Sequence, residues 1–289
     1  MIIMYVKISA ILTIILIITS LPSVMGSEEG SITYFDNPPF NPEYYDEYEF
    51  SSQFLEMLTL ELDKILLMPE GVHVTTMLDE CGVANAYYYP DRKRIVICYE
   101  LVDLIEDFAN AYYGHDLTMY GESIESVLLY IFFHEAGHMM INVFGLPVHG
   151  QEEDAVDSLA VIILIESAKE AQLPTYYPIY VALWYQFLTE LGMNAPFWAE
   201  HDLNQQRMYD TFCLLYGSNP DEHHYLVAYG ILPYERAQRC PDQYEKNYDS
   251  WSKSLEPHVI PEFGTIAVLI TGLSIGVGTT LLRLKKKFT

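Results

Sequence analysis

Apolar positions along the chain follow two rhythms. Phe50, Phe54, Leu55, Leu58, Leu62, Ile65 and Leu66 recur three and four apart, which predicts a helix over 48–68 that Pro69 and Gly71 end. The stretches 72–78, 86–89 and 94–99 are instead rich in β-branched and aromatic residues. Pro90-Asp91 separates the last two, so a small sheet with a hairpin is expected there. Helical rhythm returns over 100–113, and a loop is expected over 114–122. Then comes a long apolar run around Val127 to Phe133, predicted as a helix capped by Ser123 and stopped near Phe144 by Gly145 and Pro147. Further helices are expected over 152–172, 176–191 and 196–216, with two short ones over 225–239 and 242–253. The predicted class is α+β: mainly helical, with a small antiparallel sheet beside the long apolar helix.

Both ends depart from this pattern. Residues 1–26 carry Lys7 near the start and then a nearly unbroken apolar run, which reads as a secretory signal peptide cleaved near Gly26. Residues 27–48, rich in Pro, Asn, Tyr and acid, are expected to form an irregular arm. The main domain is placed at 49–255, followed by a linker over 256–264. Residues 265–282 carry no charge, and at about 1.5 Å per residue they span about 27 Å, enough for a hydrocarbon core. The basic tail over 283–289 then puts the C-terminus in the cytoplasm and the main domain outside the cell. The expected location is therefore the cell surface, with a single-pass anchor.

Charge sharpens this. The formal net charge is −25, with 40 acids and 15 bases. Five of those bases (Lys7, Arg283, Lys285, Lys286 and Lys287) lie in the two terminal segments, which hold no acid, so the part between carries ten bases against 40 acids. Such a surface repels nucleic acid. Four cysteines, Cys81, Cys98, Cys213 and Cys240, contain no C-x-x-C pair. In an exported chain they suggest two disulfides, of which the local pairing Cys81–Cys98 and Cys213–Cys240 is expected.

The chemistry sits in the long apolar helix. His134-Glu135-Ala136-Gly137-His138 is an H-E-x-x-H sequence. Residues four apart share a helix face, so both imidazoles can reach one cation, with Glu135 beside them as general base. Zinc (Zn2+) suits nitrogen ligands, and three protein ligands leave one position for water, whose pKa the metal brings to about 7. A third ligand must follow. A third His six residues after His138 would be the metzincin arrangement, but Phe144 stands there. The acidic run Glu152-Glu153-Asp154-Ala155-Val156-Asp157 opens the next helix instead. Glu152, Glu153, Asp154 and Asp157 are all candidates, and His149 is another.

The E-x-x-x-D of Glu153 and Asp157 after H-E-x-x-H resembles the gluzincins, the thermolysin-like zinc peptidases. That resemblance implies Glu153 as ligand, Asp157 as the acid orienting a ligand His, and a zincin-like fold. Between about 49 and 251 the chain also resembles a family of secreted metallopeptidases catalogued as a domain of unknown function. The matching stretches are Cys81-Gly82-Val83-Ala84-Asn85-Ala86-Tyr87-Tyr88, Ile97-Cys98-Tyr99-Glu100-Leu101, the two motifs above, Gln206-Arg207-Met208-Tyr209 and Cys213 to Gly217. The tail Pro261-Glu262-Phe263-Gly264, then an apolar run, then bases, resembles PEFG-type sorting signals of archaeal exported proteins. That implies an archaeosortase-like processing enzyme as a partner.

Peptide hydrolysis passes through an oxyanion that needs a donor besides the metal. His201 and Arg207 are the first candidates, ahead of Tyr209, His223, His224 and Tyr225. The reading is an exported, surface-anchored zinc peptidase acting on peptide or protein, anchored in the membrane by the C-terminal helix. The alternatives are a non-catalytic surface protein that binds a metal or a partner, and a hydrolase of non-peptide amides.

Overall fold

The computed structural model describes residues 29–148, 150–170, 172–193 and 203–260. The expected signal peptide, C-terminal span, basic tail and PEFG motif lie outside them, as do His149 and His201. The elements are β1 (Ser31–Tyr34), α1 (Tyr45–Ile65), β2 (His73–Asp79), β3 (Ala86–Tyr89) and β4 (Arg94–Cys98). Helices follow: α2 (Tyr99–Tyr113), α3 (Leu117–Phe144), α4 (Glu152–Glu170), α5 (Pro178–Glu190), α6 (Asn204–Ser218), the short α7 (Tyr225–Ala228) and α8 (Tyr234–Ala237), and α9 (Cys240–Leu255). The class is α+β, as the sequence predicts.

The sheet is larger and more mixed than a hairpin. Its order is β1-β2-β4-β3. β1 and β2 run parallel, as do β2 and β4, while β3 is antiparallel to β4. The arm read as irregular thus supplies an edge strand. The alternation of Ile32 (buried) and Thr33 (exposed) is too short to signal a strand by itself. The Asp63 side chain of α1 accepts the Ile32 N–H at 2.6 Å and fixes that edge.

α3 is apolar on every side because it is enclosed on every side. β3 and β4, α2, α4 and α5 all pack on it. Residues from Ser123 to Gly137 are buried without a break, as expected of a central helix rather than a surface one. By length and composition α3 would also pass for a membrane span, but most of it is buried in the fold. Its cap is Asp116, not Ser123: the Asp116 side chain accepts from Thr118 N–H (3.0 Å) and Met119 N–H (3.1 Å). The expected loop over 114–122 is therefore mostly the first turns of α3. Ser123 is instead buried inside the helix and donates to Tyr120 C=O. At the other end Gly145 adopts φ 63°, a left-handed cap that only glycine takes without cost.

Two disulfides brace the two halves. Cys81–Cys98 ties the β2–β3 connection to the end of β4, and Cys213–Cys240 ties α6 to α9. Both match the expected local pairing. Glu100 accepts the N–H groups of Cys81 and Gly82, which holds the first of these loops against α2.

Candidate metal centre

Two helices build the site. α3 carries His134, Glu135 and His138, and α4 crosses it with Glu152, Glu153 and Asp157 on its first turns. The crossing is close because of Gly137, inside the H-E-x-x-H itself. A Cβ built there would lie 2.7 Å from Val156 Cγ1 and 2.9 Å from Val156 Cβ. Only a residue without a side chain lets α4 come near enough for its acids to reach the imidazoles.

His134, His138 and Glu153 converge. His134 Nε2 is 3.2 Å from His138 Nε2 and 3.2 Å from Glu153 Oε2, and His138 Nε2 is 3.5 Å from Glu153 Oε2. Ligand atoms held at about 2.0–2.1 Å in a tetrahedron are about 3.3–3.4 Å apart. The three observed edges thus fit one tetrahedral cation, and the residues present suit a metal of that kind. Among the described residues the only other group of this sort is Cys81, Cys98 and Glu100, whose sulfurs are joined to each other.

The remaining acids have different places. Asp157 accepts from His134 Nδ1 at 2.7 Å, and Glu152 pairs with His138 Nδ1 at 2.7 Å. A carboxylate at Nδ1 makes that nitrogen the N–H donor and leaves the Nε2 lone pair for a metal. Of the four acids proposed as third ligand, Glu153 lies within the triangle, Glu152 and Asp157 lie behind the imidazoles, and Asp154 is exposed on α4.

The two supports are unequal. Asp157 is enclosed: its carboxylate also takes Arg207 Nε (2.6 Å), Arg207 Nη2 (2.7 Å) and Tyr130 Oη (2.5 Å). The Glu152 side chain is 48% exposed. Burial alone would raise Asp157, but the Arg207 charge and the bond from His134 hold its carboxyl well below the usual range. Burial pushes His134 down, yet Asp157 and Glu153 outweigh it and hold its pKa up at about 9. His138 is likewise raised, against burial, by Glu153 and Glu152. Burial raises Glu135, offset in part by the two imidazoles and by the backbone N–H of Tyr88.

A cleft of about 970 Å³ opens over these groups. Its lining includes Ala84 to Tyr88, with edge strand β3, and an apolar set: Leu101, Leu104, Ile131, Trp184, Leu188 and Met193. β3 is tied to the end of α3 through Asn142, whose Oδ1 accepts from Tyr88 Oη (2.9 Å) and Lys93 Nζ (2.5 Å).

The oxyanion candidates fare differently from one another. Arg207 lines the cleft, but its Nε and Nη2 are engaged by Asp157. His223 is buried against Thr175 at 3.0 Å, and His224 Nδ1 is bonded to Asp221 C=O; neither they nor Tyr209 and Tyr225 line the cleft. His201 is outside the described residues. Three participants escaped the sequence reading. Gly137 and Tyr185 carried no signal apart from their identity. Tyr130 did carry one, since it lies one turn before His134 on the same helix face.

A family model described as "Putative metallopeptidase" matches residues 42–255. No curated protein and no solved structure matches the chain.

Proposed function

The chain belongs to this metallopeptidase family, and on that footing we propose that it is a zinc-dependent peptidase with His134, His138 and Glu153 as metal ligands. One observation carries the reading: three ligand atoms form a near-equilateral triangle, and Glu135 of the same helix lines the same cleft. A divalent cation bound there supplies Lewis acidity, polarising a carbonyl and acidifying water.

The protein's own groups do the rest. Glu135, raised by burial, accepts a proton from water and passes it to the leaving amine. Its carboxylate is steadied by the Tyr88 N–H, which ties the base to edge strand β3. Besides the Tyr88 N–H, the outer edge of β3 offers its remaining backbone groups to an extended peptide, which binds as an added strand. The wall around Leu104, Trp184 and Leu188 takes an apolar side chain of that peptide. We place the enzyme at the cell surface, from the signal-like start and the apolar run before the basic tail. There the tail anchors it or is cut by an archaeosortase-like enzyme.

Glu135→Gln tests the reading. It should keep stoichiometric zinc and lower kcat by about 10²–10⁴-fold on a peptide library that the wild type cleaves. Peptide turnover retained by that variant rejects the mechanism. Zinc bound by wild type with no cleavage of any peptide favours the non-catalytic or non-peptide alternatives.

A further inference from the structure

Three helices meet at the Asp157 carboxylate. His134 and Tyr130 come from α3, Arg207 comes from α6, and Asp157 itself is on α4. A fourth helix closes the cluster. The Arg207 guanidinium carbon lies over the Tyr185 ring of α5, 4.5 Å from its centre. Tyr185 Oη is 2.5 Å from Tyr130 Oη. The single Tyr130 proton goes to Asp157, so Tyr185 donates to Tyr130, and Arg207 Nη2 does so too at 3.2 Å.

This arrangement accounts for how Arg207 is oriented. Its fork is bidentate on Asp157, the geometry a guanidinium adopts with a carboxylate and an ammonium does not. With two of its three nitrogens engaged by Asp157, it is poorly placed to meet a reacting oxygen. It is well placed to stop Asp157 from rotating. Asp157 in turn sets which way the His134 ring faces. His138 has weaker support, because Glu152 is half exposed and, among the described residues, accepts only from that imidazole.

We propose that Arg207 is a positioning residue of the metal centre. Acting with Tyr130 and Tyr185 through Asp157, it holds His134 Nε2 on the cation, and it is not the oxyanion donor. The proposal rests on the ligand set above, but its main readout is metal affinity, which is independent of peptide cleavage.

The test compares full-length wild type with Arg207→Lys, Arg207→Met and Tyr185→Phe. Zinc affinity is measured by competition with a chromophoric chelator, and kcat and KM are then measured at saturating zinc. Near-UV circular dichroism reports folding. The expected result for Arg207→Met is a loss of about 10–100-fold in zinc affinity, the usual effect of removing a group that supports a metal ligand. Arg207→Lys should recover part of it, Tyr185→Phe should weaken binding by a few-fold, and saturating zinc should restore most of kcat. If Arg207→Met does not fold, the lysine variant carries the same comparison. Unchanged zinc affinity with kcat down about 10²–10³-fold at saturating zinc is the signature of an oxyanion donor and overturns the proposal. If the affinities shift as expected but wild type cleaves no peptide, the peptidase reading fails and the positioning role stands.

Discussion

Gly137 and Val156 meet where the two helices of the candidate metal centre cross: a Cβ at Gly137 would sit 2.7 Å from Val156 Cγ1. Val156 lies between Glu153 and Asp157, so whatever moves it moves both. Gly137→Ala would gain helix propensity, yet it has to push α4 outward. The cost should be about 1–3 kcal/mol of stability, as for overpacked cores, seen as a lower thermal midpoint. Zinc affinity should fall in parallel, because Glu153 leaves the triangle. A variant as stable as wild type with full zinc affinity would show that the helices have slack there.

On the proposed ligand set, a metal and a proton would compete for His134. Its pKa is held at about 9, above the unfolded value of about 6.5, by Asp157 and Glu153. In the metal-free protein this raised pKa contributes stability that is complete below about pH 6.5. That contribution fades as pH rises through about 9. Zinc needs the neutral ring, so its apparent affinity should climb over the same interval. Chelator competition and thermal melts of metal-free protein from pH 6 to pH 9.5 check both slopes. A flat affinity profile would count against His134 as a ligand.

Glu125 is a cost the fold carries. It is 4% exposed on α3, and neither carboxyl oxygen has a hydrogen-bond partner among the described residues. Burial, helped by the nearby Glu122 charge, pushes its pKa up to about 8. A raised carboxyl favours the protonated form in the folded state, so its ionisation destabilises the fold progressively from about pH 4.5 up to about 8. Glu125→Gln removes the charge and should raise the thermal midpoint at pH 8 more than at pH 5. Equal midpoints at both pH values would mean that the carboxyl is solvated or paired.

Much of this was legible in the chain itself. His134 and His138 share a helix face, with Glu135 one step round, whatever surrounds them, because 3.6 residues per turn fixes that locally. The boundaries of β2, β3 and β4 followed from β-branched and aromatic runs, and the two disulfides from the short separations of 17 and 27 residues. The start of α3 lies seven residues before the expected one, because the buried Ser123 imitates a cap that Asp116 provides. β1 was missed because a four-residue strand owes its existence to its partner β2, not to its own pattern.

The sequence alone determined an α+β chain with two imidazoles and a carboxyl on one helix, since those relations are set within one or two turns. Which acid meets the imidazoles was a matter for tertiary structure. Glu152, Glu153, Asp154 and Asp157 differ by only a few steps around one helix, and a small rotation of α4 would exchange their places. The side chain missing at Gly137 and the enclosure of Asp157 by Arg207, 50 residues further along, fix that rotation. Neither is visible until the helices are packed, because both are contacts between surfaces that only folding brings together.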